Sequence, residues 1–303
     1  MAGFNDQFLY SVLIITIGYL LKRFGLVKEK DGEGLARIVF NLTLPALIIV
    51  TFSDIQFESS LLLLIIFGLV YGLFSGVLAI LVFRRERKKT KGMLAMMVPG
   101  FNIGLFAYPL VEGIWGTTGV KYFGMFDVGN AFIVFGLSYF LASFYSDEEV
   151  KLDIKNVTGK LSKSVPLMTY TVVCTLNILN IQLPGVVLHV SGIISAANMP
   201  MSLLLLGIYL SFHLKASYFK PIAKLLALRY VVGLGVGAVL FMVLPFNDMF
   251  KYTVLISLIL PVAMSVVPYS VEFGYDKKFV GTFSNLTIII SFVLIWGMAN
   301  IIM

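Results

Sequence analysis

Of the chain's 303 residues, 59% are hydrophobic and 13% charged, with a mean hydropathy of +0.95, against roughly half and a quarter in a soluble domain. That excludes an ordinary soluble fold. At roughly 20 residues per membrane span, the apolar segments also leave no length for a separate soluble catalytic domain. The net charge of +7 is no nucleic-acid footprint, because the basic residues stand in short loops between apolar runs, where they act as topology signals.

Ten apolar segments are expected as helices, at about 6–22, 34–52, 59–83, 92–113, 118–144, 162–181, 187–212, 221–244, 250–272 and 278–302. The first has no basic residue before it and Lys22 and Arg23 after it, which argues against a cleaved leader and for an N-terminus on the outer side. The second carries Asn41 and Pro45 in NLTLPAL, and the third carries Gly68, Gly72 and Gly76, a spacing that lets helices approach closely. RRERKKTK follows as a lipid-headgroup anchor.

The fourth segment, Met93–Gly113, reads MLAMMVPGFNIGLFAYPLVEG and contains Pro99, Gly100, Asn102, Gly104, Pro109 and Glu112. Each proline removes a backbone donor and crowds the carbonyl four residues back, so a helix broken inside the membrane is predicted. Freed main-chain groups must then face protein or a water-filled cavity. Asn102 is the leading candidate for substrate contact, since its amide can donate to a carboxylate beside a half-helix N-terminus. The rival role is a cap on the broken helix.

In the fifth segment FDVGN places Asp127 and Asn130 on one helical face. A carboxylate at mid-membrane costs at least about 3 kcal/mol, which suggests that Asp127 titrates or coordinates a cation with Asn130 orienting it. The alternative is a structural hydrogen bond to the broken fourth segment. The loop at 145–161 is the longest polar stretch and divides the chain into a first unit (1–145), a cytoplasmic linker (146–161) and a second unit (162–303). Five spans per unit is an odd number, so the second unit is expected to be inverted.

Features recur in the second unit. Asn198 and Pro200 answer Asn41 and Pro45, Gly233 and Gly237 answer the earlier glycines, and Val254–Gly274 carries Pro261, Pro268 and Glu272. In the tenth segment Ser284, Asn285 and Thr287 stand where Asp127 and Asn130 stand in the fifth. They either complete a polar site or bond their own backbone. Glu112 and Glu272 close the two broken segments as gating or solvated carboxylates. All but Lys121 and Lys251 of the 23 basic residues fall after odd-numbered spans, Arg229 being counted with Lys215, Lys220 and Lys224. That asymmetry makes those loops cytoplasmic and puts both termini outside.

NLTLPALI, PGFNIGLFAYPL, FDVGN and LPVAMSVVPYSVEFG, in this order across the spans, resemble the auxin efflux carrier family, which includes bacterial malate and malonate permeases and the plant PIN-FORMED exporters. The resemblance implies an all-α membrane fold similar to sodium/bile-acid symporters and cation/proton antiporters. Spans 1, 2, 6 and 7 would form a scaffold that pairs into a homodimer, and spans 3–5 and 8–10 a mobile transport domain. The broken spans 4 and 9 would cross near Pro99–Gly104 and Leu260–Ala263, with Gly100, Asn102, Gly104, Pro261, Ala263 and Asn41 around the substrate. The pattern departs at Ile103, where many relatives have a small hydroxyl residue, and at Val262–Met264.

The expected function is elevator-type movement of a small organic acid, a mono- or dicarboxylate, across the plasma membrane. Without an ATP motif, energy comes from the membrane potential, the substrate gradient or a coupled ion, and a proton is better supported than sodium. The rivals are a cation/proton antiporter of similar fold and a membrane sensor that no longer transports. No phosphate-binding loop, nucleophile elbow, HEXXH or CXXC is present in the sequence, so neither an enzyme nor a cofactor or metal is expected.

Overall fold

The structure, a computed structural model, describes residues 2–54, 59–146, 154–213 and 215–302. Part of the expected linker, 147–153 with Lys151, lies outside the described residues. In chain order the helices are α1 (Ala2–Arg23), α2 (Asp31–Phe52), α3 (Ser59–Val82), α4 (Lys88–Met96), α5 (Ile103–Phe144) and α6 (Ile154–Ser162). They continue with α7 (Val165–Ile178), α8 (Gly185–Tyr209), α9 (Ala216–Val243), α10 (Asp248–Ser257), α11 (Val266–Glu272) and α12 (Lys277–Ile302).

Among the described residues no strand forms, and α2, α3, α5, α8, α9 and α12 are the six helices long and apolar enough to cross a membrane. An all-helical answer is what lipid demands, because a helix satisfies its backbone groups within one segment. Two prolines leave local marks. Pro45 follows a wide turn at Val39–Thr43 and Pro109 follows another at Ile103–Ala107. A proline ring crowds the carbonyl four residues back, at Asn41 and Leu105 respectively, and widening the turn there relieves the clash.

Gly116, at φ +60°, splits α5 into two helical pieces by a conformation that an L side chain resists. Close approach explains other glycines. A methyl on Gly207 would sit 2.0 Å from the Ile15 carbonyl oxygen, one on Gly129 2.1 Å from that of Ile65, and one on Gly233 2.3 Å from that of Leu258. The first locks α1 to α8, the second α3 to α5, and the third α9 to the segment after α10. Added methyls on the repeated Gly68, Gly72, Gly76 and Gly237 would likewise fall within 2.8 Å of Phe126, Ile133, Leu137 and Leu255, so the repeated glycines are packing residues, as their spacing suggests.

The candidate substrate site at the crossing of two interruptions

Helix stops at Met96 and resumes at Ile103; it stops again at Ser257 and resumes at Val266. The two gaps meet. Phe101 and Val262 form an isolated antiparallel bridge, and the Asn102 N–H donates to the Pro261 carbonyl at 2.9 Å. Gly100 sits at φ +82°, and a Cβ there would lie 2.9 Å from Val134 Cγ2, so the chain turns into the crossing at the one residue type that tolerates both.

Side chains from neighbouring helices satisfy the exposed main chain. Asn130 acts like a strand residue: its Oδ1 accepts the Phe101 N–H at 2.9 Å and its Nδ2 donates to the Phe101 carbonyl at 3.0 Å. Ser138 donates to Pro99 O at 3.3 Å, Ser291 to Ile259 O at 2.7 Å, and Thr287 accepts the Val262 N–H at 3.2 Å. Arg229 donates to the carbonyls of Met97, Val98, Gly100 and Leu260.

The fixed orientation of Asn130 leaves its Nδ2 to donate to Asp127 Oδ1 at 3.0 Å, while the Tyr108 hydroxyl donates to Oδ2 at 2.9 Å. Tyr108 is also bonded to Tyr170. Its one proton goes to Asp127, so Tyr170 is the donor in that pair. A chain of hydroxyls from α7 through α5 thus ends on a carboxylate that is coupled, through Asn130, to the main chain of the crossing.

Beside the crossing lies a cavity of about 1300 Å³ that includes Asn102–Leu105, Ala263–Ser265, Asp127, Asn130 and Tyr170 in its walls. Phe40, Leu44, Val134 and Leu167 make much of the rest apolar, and Lys30, Lys163, Lys277, Lys278, Glu29, Glu33 and Glu272 also line it. Asn102 is 5% exposed; its Oδ1 caps the resuming helix by accepting the Leu105 N–H at 3.3 Å, and its Nδ2 has no partner among the described residues. A buried amide nitrogen without an acceptor is costly; Asn102 is one of the residues that line the cavity, and the helix N-terminus beside it adds partial positive charge.

Residues 7–172, more than half of the chain, match the family described as Membrane transport protein, which comprises the auxin efflux carriers. The chain belongs to this family. It is 26% identical over 297 residues to an uncharacterized transporter of Methanothermobacter thermautotrophicus, covering 96% of both chains. It is 24% identical to an uncharacterized transporter of Methanocaldococcus jannaschii, covering 96% of this chain and 97% of the relative.

Of the residues singled out in this family member, the cavity collects Asn102, Gly104, Ala263, Asn41, Asp127, Asn130, Ser284, Asn285 and Glu272. Gly100 and Pro261 are placed behind its wall, where their carbonyls bond Arg229 and Asn102. Asn41 is exposed and donates to Arg37 O at 2.8 Å on its own helix, so it borders the cavity without being aimed across it. Glu112 is absent from the cavity wall and half-buried, with Oε2 unpartnered among the described residues.

Glu272 accepts from Tyr139 at 2.8 Å and pairs with Lys160 at 2.9 Å. It therefore ties α11 to α5 and α6 while remaining exposed. Ser284 bonds the Val280 carbonyl and Asn285 the carbonyls of Tyr209 and Ser211, so the residue that answers Asn130 in α12 is Thr287. Arg229 requires a correction. It is 4% exposed inside α9 and does not belong with the loop lysines. The signal was in the sequence, as an arginine flanked by LLAL and YVVG within an expected span.

Proposed function

We propose that this membrane transporter carries a small organic anion, a mono- or dicarboxylate, across the plasma membrane by secondary-active or facilitative alternating access. The single observation behind this reading is the buried Nδ2 of Asn102, which has no partner among the described residues and belongs to a residue that lines a large cavity. A substrate carboxylate would supply the missing acceptor, helped by the positive end of the helix that resumes at Ile103. An anion held in the same cavity as ionised Asp127 is repelled. A proton on Asp127 therefore accompanies the loaded state, and the Tyr170–Tyr108 chain is its route.

In this reading the ten expected segments all cross, with both termini outside. Units 1–145 and 162–303 are inverted five-helix copies. The bundle of expected spans 3–5 and 8–10 slides, elevator-fashion, against a scaffold that pairs with a second copy. The two interruptions, one in the fourth expected segment and one in the ninth, support the inversion, because inverted repeats with broken helices are how many carriers build a central site.

The test is uptake of labelled mono- and dicarboxylates into liposomes holding the purified protein, with imposed pH and potential gradients. Saturable uptake above protein-free liposomes is expected. Its absence for every acid, with the protein folded, would leave a sensor. The position of Asp127, bonded to neutral groups in the cavity wall, also suits a cation/proton antiporter, which would instead show pH-driven cation flux without any organic acid.

A further inference from the structure

Four main-chain oxygens from two separate stretches converge behind the crossing. Arg229 Nη1 lies 3.1 Å from Met97 O and 3.1 Å from Gly100 O and also bonds Val98 O, while Nη2 lies 3.0 Å from Leu260 O. The guanidinium is buried, with Cζ 4.9 Å from the centroid of the Phe101 ring. Among the described residues no carboxylate pairs with it. Its charge is therefore answered by carbonyl dipoles and one ring face alone.

Carbonyls at the ends of interrupted helices carry partial negative charge. In transporters with unwound helices, such groups are the ligands offered to sodium, a hard cation that prefers oxygen. Here one end of the guanidinium engages the first interruption and the other engages the second, so a single positive charge holds both together. Arginine's planar fork can reach two stretches at once, which a point charge on a flexible stem does less well.

We propose that Arg229 is a tethered counter-cation standing in for a dissociable alkali ion at the crossing, so that the crossing is assembled at all times and sodium is not required. Arg229 is a positioning residue: through Gly100 and Phe101 it fixes where Asn102 stands. A coupled proton, not sodium, then acts elsewhere in the cavity wall. The inference depends on the crossing alone and is indifferent to which substrate is carried.

The experiment is thermal unfolding of the purified full-length protein in detergent, in sodium chloride, choline chloride or millimolar guanidinium chloride at matched ionic strength. The parent protein should melt at the same temperature when sodium replaces choline. Arg229→Ala leaves the buried carbonyls unpartnered and should melt on the order of 5–10 °C lower. Guanidinium or sodium, saturably and at millimolar concentration, should recover at least half of that loss; choline should not.

Equal melting of the variant in all three salts would reduce Arg229 to a fold staple and overturn the proposal. So would saturable stabilisation of the parent by sodium. If Arg229→Ala does not accumulate, the parent titration decides alone, with Arg229→Lys expected to fold and to share the parent's indifference to sodium. No substrate enters these measurements, so their failure leaves the organic-anion reading standing, and failed uptake leaves this inference standing.

Discussion

Asn102 uses its two amide atoms differently: Oδ1 caps the helix that resumes at Ile103, and Nδ2 has no partner. Aspartate is as good a cap as asparagine but offers an acceptor where Nδ2 donates. Asn102→Asp therefore keeps the cap but buries a carboxylate, and is expected to unfold below the parent temperature and to bind organic acids roughly tenfold to a hundredfold more weakly. Unchanged affinity would assign Asn102 to capping alone. Asp127→Asn keeps the shape and loses the proton, so uptake should lose its pH dependence; an unaltered pH profile would make Asp127 structural. The spacing of Asp127 and Asn130 showed that they share a face. It did not show that Asn130 grips the Phe101 main chain, because that contact joins residues 29 positions apart. Arg229 was legible and was counted by the wrong rule: loop charge set aside the physics of an arginine inside an apolar helix.

At the scale of elements, proline chemistry made both interruptions readable, since a helix that loses donors within lipid must open. What fills each opening was not readable, because it comes from side chains on helices distant in sequence. Within α9, Gly233 and Gly235 give a paired test. A side chain at Gly233 meets the Leu258 backbone oxygen, whereas one at Gly235 meets nothing within 4 Å. Gly233→Ala should destabilise by about 1–3 kcal/mol, while Gly235→Ala should be neutral or mildly stabilising. Similar unfolding temperatures for the two would remove close packing as the reason for Gly233.

Asp276 offers a pH test just before α12. Burial alone would raise its carboxyl, but the Tyr218 hydroxyl at 2.6 Å, the N–H groups of Phe279 and Lys278, and the Lys215 charge outweigh it and hold the pKa below its usual value. A depressed folded-state value contributes stability above the unfolded value near ~4, and that contribution is lost as pH falls through the lower folded value. Asp276→Asn should therefore flatten the acid limb of a melting-temperature profile measured between pH 6 and pH 3. An unchanged limb would place the acid sensitivity elsewhere.

For the whole molecule, composition and charge alternation gave the class, a polytopic helical membrane protein, and the comparisons give its family. The number of crossings is harder to read, because interrupted helices are each too short to span lipid alone: α4, α10 and α11 are short, and their sum across each gap is what a membrane would see. The cavity was legible only as the requirement that the freed main chain face protein or a water-filled space; its walls were not, because they belong to a space between elements rather than to any one. Its accessibility is testable with the protein's single cysteine removed. In a Cys174→Ser background, Ser265→Cys should react with an impermeant thiol reagent supplied from the lysine-rich side, and a bound organic acid should slow the reaction. Reaction from the opposite side only would reverse the orientation drawn from the charges.

The claim on which the rest depends is that two interrupted helices meet and present the Asn102 amide to an anion. Saturable thermal stabilisation by a panel of organic acids, measured side by side on the parent and on Asn102→Ala, tests it most directly. The account predicts that at least one carboxylate raises the melting temperature of the parent and leaves the variant unmoved. A panel in which no carboxylate stabilises the parent, or in which the same acid stabilises both proteins equally, would contradict it.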